Sequence, residues 1–108
     1  MIRCYDEKKT EDALMYVQGK VHMNELWMNL AEECSELAQA SLKMCRVDSM
    51  TNPTDKTFKE AYEDVVEEYT DILNIADRLL RIRPDWGIGN EKIIRWADRI
   101  KERIKNYD

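Results

Sequence analysis

Long runs of apolar residues spaced three and four positions apart dominate this 108-residue sequence. Such spacing places apolar side chains along one face of an α-helix. Only 3 Gly and 2 Pro are present to interrupt helices, and no convincing strand pattern occurs. The chain is long enough for one domain but not for two. We therefore expect a single all-α domain spanning residues 1–108.

Four helices are predicted, and the two in the middle are the longest. Their approximate ranges are 7–19, 22–46, 56–82 and 90–106. The loops at 47–56 and 84–89 carry turn signals. Thr54 or Asp55 is expected to cap the third helix, and Asn90 the fourth. Short loops make sequence neighbours antiparallel, which predicts a four-helix bundle with two long central antiparallel helices.

Apolar stripes predict which helix faces are buried. The second helix carries one stripe: Met23, Leu26, Trp27, Leu30, Cys34, Leu37, Ala38, Leu42 and Cys45. The third carries a main stripe, expected in the core: Phe58, Tyr62, Val65, Val66, Tyr69, Leu73, Ala76 and Leu80. A second stripe beside it is more than one bundle core needs, which suggests a subunit interface: Ala61, Ile72, Ile75, Leu79 and Ile82. The fourth helix is expected to turn five residues inward: Ile93, Ala97, Ile100, Ile104 and Tyr107.

Charge is unevenly distributed along the chain. Residues 1–77 hold 8 basic and 17 acidic side chains, whereas residues 78–108 hold 9 basic and 5 acidic ones. The excess of acidic side chains in residues 1–77 argues against nonspecific nucleic-acid binding. The basic end is best interpreted as the solvated face of a helix, with contact to phosphates as the alternative.

Cysteine usage and hydropathy indicate the compartment. Three cysteines without a CxxC pair, together with a single histidine, argue against a zinc site. Cys34 and Cys45 fall on apolar helix positions, where we expect reduced core thiols. No stretch approaches the roughly 20 apolar residues of a membrane span, and the N-terminus lacks a signal peptide. These features predict a soluble cytoplasmic protein.

Two acidic pairs stand on the long helices. Glu33 and Glu36 lie in LAEECSELA, and Glu68 and Asp71 lie in VVEEYTDIL. Residues three apart share one helix face, and both pairs border apolar stripes. If the helices pack through those stripes, the four carboxylates converge and repel unless they are neutralised. Oxygen ligands of this kind suit Mg²⁺ or Mn²⁺.

Composition offers a simpler explanation for the same pairs. Acids are 22 of the 108 residues, so several pairs at this spacing arise by chance on solvated helix faces. The position of both pairs, near the middle of the two longest helices, is what favours a metal site over that alternative.

The combined pattern resembles the signature of the MazG-like all-α nucleoside triphosphate pyrophosphohydrolases. That signature is E-E-x-x-E on one helix and E-x-x-D on the next, and the resemblance covers about residues 20–82. The resemblance implies that Glu33, Glu36, Glu68 and Asp71 bind Mg²⁺, with Mn²⁺ possible. It also implies hydrolysis of a nucleoside triphosphate to monophosphate and pyrophosphate, in a homodimer or homotetramer.

Further roles follow from the resemblance and from helical position. Glu33 or Glu36 would orient or deprotonate the attacking water. Four polar residues are candidates for binding substrate: Glu32, Lys43, Asn74 and Arg78. Lys43 and Arg78 are candidates for contact with a phosphate, and Asn74 has plain surface exposure as its alternative. Glu32 projects away from the core, where it either faces a neighbouring subunit or helps to orient a ligand. Trp27 is two turns before Glu33 and is a candidate for base stacking, although a core position is favoured. His22 is expected at the surface or in a first turn.

Three rival interpretations stay open. A phosphoribosyl-ATP pyrophosphohydrolase would share the same acidic motif. A non-catalytic helical interaction module would leave the acids as solvated charge. A di-iron bundle normally uses Glu-x-x-His pairs, which this sequence lacks.

Overall fold

The computed structural model describes residues 6–49 and 56–107, and the all-α prediction is confirmed over these ranges. The helices are α1 (Glu7–Lys20), α2 (Met23–Ser49), α3 (Phe58–Leu73) and α4 (Trp86–Tyr107). A π-helix, Asn74–Leu79, continues α3. No strand occurs in these two ranges. None of their helices is both long and apolar enough to cross a membrane.

The start of α3 is fixed by a reciprocal cap. Thr57 Oγ1 accepts a hydrogen bond from the Glu60 backbone N–H at 3.2 Å, and Glu60 Oε1 accepts one from the Thr57 backbone N–H at 3.1 Å. The two bonds satisfy donors that a helix N-terminus leaves free. Donation from Thr57 to the carboxylate also lowers the pKa of Glu60. The predicted caps Thr54 and Asp55 lie outside the described residues.

The third helix changes form at Asn74, which the sequence did not predict. In the π-helix the Leu80 backbone N–H donates to the Ile75 carbonyl, five residues back, at 2.8 Å. The chain then leaves the helix through Arg81, which has a φ of 58°. Arg83 donates to the side chain of Asp77 and, at 3.1 Å, to its carbonyl oxygen. Apolar spacing alone does not separate an α-turn from a π-turn, because both carry a continuous stripe.

The fourth helix begins at Trp86, so the predicted loop at 84–89 and the cap at Asn90 are wrong. Asp85 Oδ1 accepts hydrogen bonds from the backbone N–H groups of Gly87 at 3.0 Å and Ile88 at 3.2 Å. Asn90 lies inside the helix. Asp85 is therefore the N-cap of α4, and Trp86 is its first residue. Both belong to the Pro-Asp-Trp-Gly segment, for which the sequence predicts a loop.

The fourth helix makes no contact with another helix of the described ranges. Its predicted inward residues are exposed: Ile93, Ala97, Ile100 and Ile104. The side chain of Tyr107 lies outside the described part. A four-helix bundle is therefore not formed within one chain. The radius of gyration is 18.6 Å, whereas a compact chain of this length has about 13 Å.

The helices α2 and α3 pack on each other and run antiparallel. Glu36 lies near Glu68, while Lys43, farther along α2, shares a groove with Asp64, earlier on α3. Three apolar residues are buried within the described ranges: Leu26, Ala40 and Ala61. Among the described helices, α1 contacts the π-helix alone, and α2 also packs beside that π-helix.

The two stripes of α3 have the reverse of their predicted roles. Ala61 of the second stripe is 1% exposed and faces α2, with Ile72, Ile75 and Leu79 half-buried. Much of the main stripe is exposed instead: Phe58, Tyr62, Val66, Tyr69 and Leu73. Small Ala61 allows close approach of α2, whereas the aromatic residues would hold the helices apart. The prediction that Cys34 and Cys45 are core thiols is likewise wrong, since both are exposed.

Candidate metal centre

Three carboxylates from two helices meet at the contact between α2 and α3. One oxygen each from Glu33, Glu36 and Glu68 lies within 4.8 Å of the others. Glu33 and Glu68 occupy contact positions of their helices and are half-buried, and Glu36 is exposed one turn beyond Glu33. The antiparallel pairing of the two helices therefore brings Glu68 to two acids of α2 that lie 32 and 35 positions before it in the sequence.

Two oxygens of this cluster are closed off from solvent. Glu33 Oε2 and Glu68 Oε2 are buried and have no hydrogen-bond partner. A buried carboxylate oxygen without a donor is costly unless a cation or a proton neutralises it. The donor set, hard oxygens at mutual distances below 4.8 Å, fits Mg²⁺ or Mn²⁺ by its chemistry.

The electrostatics of the cluster disfavour full ionisation of its carboxyl groups. Loss of hydration raises the pKa of Glu33, and the negative charges of Glu36, Asp71 and Glu32 raise it further, while a hydrogen bond that Glu68 donates when it carries a proton acts in the opposite direction. The pKa of Glu68 is raised by loss of hydration first, then by the charge of Glu36 and a hydrogen bond with it, and by Asp71 and Glu33. Both carboxyl groups thus favour a proton or a metal ion.

Asp71 and Glu32 lie beside the cluster but outside its 4.8 Å set. Asp71 directly precedes Ile72, a half-buried residue on the face of α3 that packs against α2. Glu32 directly precedes Glu33, a half-buried residue on the facing side of α2. We call such positions contact positions. A step of one residue turns a helix by about 100°, so on facing antiparallel helices these residues lie on the same side of the pair. Glu36, which precedes the half-buried Leu37, lies on that side too. We call it the carboxylate side.

A groove of about 340 Å³ extends from the cluster between α2 and α3. Its lining combines acids and lysines: Glu36, Gln39, Ala40, Lys43, Lys56, Asp64 and Glu68. Lys43, predicted to be near this face, is therefore part of it. Lys56 was not predicted, because it precedes the cap of α3 and has no helical spacing to the motif. It forms an ion pair with Asp64.

A second groove, of about 300 Å³, lies on α4 and is lined by Lys92, Arg95 and Arg99. It has basic side chains but no opposing helix, and the carboxylates do not line it. The groove between α2 and α3 is the better candidate site, because it has two walls and includes the cluster.

Three other predicted substrate residues belong neither to the cluster nor to the lining of the groove: Trp27, Asn74 and Arg78. Trp27 follows the buried Leu26 and is 50% exposed, so the helical rotation places it on the side of α2 away from the carboxylates. The structure therefore does not support stacking of Trp27 on a base at this site of the same chain. It also does not support the core position that the sequence favoured for Trp27. Asn74 is half-buried in the π-helix and accepts a hydrogen bond from Arg78 Nη1 at 3.1 Å. His22 is exposed, and its carbonyl accepts the Glu25 N–H at 3.0 Å in the first turn of α2.

Comparisons of the chain with protein-family models, curated proteins and solved structures find no match. The geometry of the carboxylates and the groove, together with the motif resemblance, is what indicates a function for this chain.

Proposed function

We propose that this protein is a Mg²⁺-dependent nucleoside triphosphate pyrophosphohydrolase of the MazG-like kind, cleaving its substrate to monophosphate and pyrophosphate. The supporting observation is the convergence of Glu33, Glu36 and Glu68 with two buried oxygens that lack partners. Solvated helix faces, the alternative from composition, do not account for carboxylate oxygens buried without hydrogen bonds.

Each residue of the cluster has a role in this proposal. Glu33 and Glu68 would hold the metal through their buried oxygens, and Glu36 and Asp71 would complete the ligand set. When bound, Mg²⁺ neutralises the triphosphate and lowers the pKa of a coordinated water. Exposed Glu36, or Glu33 beside it, orients the attacking water and accepts its proton.

The groove supplies the second part of the substrate site. Its lysines, Lys43 and Lys56, are positioned to offset phosphate charge beyond the metal ligands. Glu32 on the carboxylate side and the Asn74–Arg78 pair are further candidates for contacts with the nucleoside. We further propose that the enzyme works in the cytoplasm as a homodimer or homotetramer. The phosphoribosyl-ATP activity would use the same cluster and differ only in the substrate.

The decisive experiment measures phosphate products from a panel of ribo- and deoxyribonucleoside triphosphates, and from phosphoribosyl-ATP, with Mg²⁺. The wild-type protein is expected to release pyrophosphate, and the Glu36→Gln variant is expected to lose this activity. Glu63→Gln is the matched control, because Glu63 is an exposed acid of α3 that does not belong to the cluster. Release of orthophosphate alone, or equal activity in both variants, would contradict the proposal.

A further inference from the structure

The helix α4 presents an apolar face to solvent. Its residues from Trp86 to Lys105 are exposed, apart from half-buried Gly89, and no other helix of the described ranges contacts it. At about 100° per residue, six apolar residues fall within an arc of about 100° around the axis. They define what we call the apolar face of α4: Trp86, Ile93, Trp96, Ala97, Ile100 and Ile104.

Basic residues lie along both edges of this face. In projection down the axis, Lys92, Arg99 and Arg103 follow one edge, and Lys101 and Lys105 follow the other. Lys92 and Arg99 also line the basic groove of α4, which therefore runs beside the apolar face. Long basic side chains at such positions lay their methylene stems on an apolar phase while their charged ends stay in the polar layer above it.

The acids of α4 are separated from both edges. Glu91, Asp98 and Glu102 fall within about 40° of one another, on the side of the helix opposite the apolar face. This arrangement suits a helix that lies on an anionic lipid surface. The apolar side chains enter the interface, the cations meet the headgroups, and the acids point back into water.

The same charge pattern disfavours other partners for the apolar face. Two copies of α4 packed through it would set basic edges against basic edges, where like charges repel. A nucleic acid would use the basic edges but leave the apolar face in water. Trp86 and Trp96, both exposed on this face, are of the residue type that is enriched at membrane–water interfaces.

We propose that α4 is a lipid-binding helix that holds this protein on membrane surfaces containing anionic phospholipids. The helix lies in the plane of the surface and does not cross it. The negative surface of the cytoplasmic leaflet is a membrane of this kind. The proposal goes beyond the proposed hydrolysis and does not depend on it, because α4 supplies no carboxylate of the cluster and does not line the groove between α2 and α3.

Sedimentation of the full chain with lipid vesicles tests the proposal. Wild type should bind vesicles of equimolar phosphatidylcholine and phosphatidylserine at least about 100-fold more tightly than vesicles of phosphatidylcholine alone, because each basic residue near an anionic surface adds about 5-fold. Added salt should weaken the binding. Equal binding to both kinds of vesicle, or binding to neither, overturns the proposal.

Two variants test the basic edges and the apolar face separately. Arg99→Gln/Arg103→Gln should weaken binding to the mixed vesicles about 25-fold. Ile100→Gln should weaken it about 10-fold, because the apolar side chain no longer enters the interface. The matched control Lys8→Gln/Lys9→Gln removes the same charge from exposed positions of α1 and should bind like wild type. An equal loss in the control would show attraction by overall charge alone and overturn a role for α4.

Fluorescence of Trp96 provides a measurement of insertion. The chain has 3 tryptophans, so Trp27→Phe/Trp86→Phe leaves Trp96 alone. Brominated phospholipids in the mixed vesicles should quench its emission, whereas sedimentation without quenching would show that another surface binds. Binding to duplex DNA as tight as to the vesicles, and unchanged in Ile100→Gln, would assign the basic edges to nucleic acid instead. Pyrophosphate release is measured without vesicles, so failure of either proposal is recognised by itself.

Discussion

Glu33 on α2 and Glu68 on α3 each hold one carboxylate oxygen away from solvent without a hydrogen-bond partner. Loss of hydration and the negative charges of Glu36 and Asp71 raise the pKa of both groups. Without a cation this arrangement opposes folding near neutral pH, because desolvated like charges repel. A metal ion that binds there should therefore act on stability as well as on catalysis.

Mg²⁺ is expected to stabilise the wild-type protein against heat. At a concentration 100 times its dissociation constant, the gain is about 2.7 kcal/mol, or a shift in Tm of about 10 °C for a chain of this size. Glu68→Gln should lose most of that shift, whereas Glu63→Gln should keep it. Thermal unfolding followed by circular dichroism measures the shift, and an equal response of both variants would count against a metal site at Glu68.

The metal-free protein is expected to become more stable as the pH falls from 7 toward 4.5. The pKa values of Glu33 and Glu68 in the folded state lie above the ordinary value of 4.5, so the folded state binds more protons. This contribution to stability is complete below pH 4.5 and is lost as pH rises through the folded-state values. Urea unfolding at pH 5, 6 and 7 should show a weaker pH dependence in Glu33→Gln/Glu68→Gln. If the double variant keeps the pH dependence of the wild-type protein, that pH dependence arises from groups other than Glu33 and Glu68.

Removal of Glu36 is expected to impair the chemical step. Glu36→Gln keeps the size of the side chain but cannot accept a proton, so kcat for pyrophosphate release should fall about 100-fold or more. Steady-state kinetics with the preferred triphosphate measure the change, with circular dichroism to show that the variant is folded. An increase in KM with unchanged kcat would instead assign Glu36 to substrate binding alone.

Lys56 is expected to contribute to binding of the phosphates. Lys56→Met should raise KM about 10-fold, because one charge-assisted contact is lost while the metal ligands stay in place. Lys59→Met is the matched control, since Lys59 is an exposed, ion-paired lysine of α3 outside the groove. If the two variants have comparable KM values, Lys56 does not contribute to substrate binding.

The cap of α3 supports the position of Glu68 from a distance. Thr57→Ala removes the acceptor for the Glu60 backbone N–H and should reduce stability by about 1 kcal/mol. Thr57→Ser restores the hydroxyl and should recover most of that loss. Chemical denaturation of the three proteins provides the comparison, and equal losses in both variants would indicate that the methyl group, not the cap, matters.

The sequence predicted the helices well and their packing poorly. The spacing of Leu26, Leu30 and Leu37 defines α2, and its observed ends differ by only a few residues from the expected ones. The same spacing does not reveal which of two apolar stripes faces a neighbour, so Ala61 and Tyr62 were assigned the wrong way round. Pairs such as Glu33 and Glu36 were recognisable because chemistry and spacing agree. Lys56 was not, because only the tertiary structure brings it to the groove.

The two opposite sides of the α2–α3 pair have a consequence for how binding events would influence one another. In a homodimer whose α2–α3 pairs pack through the faces opposite their carboxylates, the two clusters would lie on the outer faces of a layer two helices thick, roughly 20 Å apart. That separation exceeds the Debye length of about 8 Å at physiological ionic strength. Occupancy of one cluster then leaves the affinity of the other unchanged, so metal titrations should be hyperbolic and free of cooperativity.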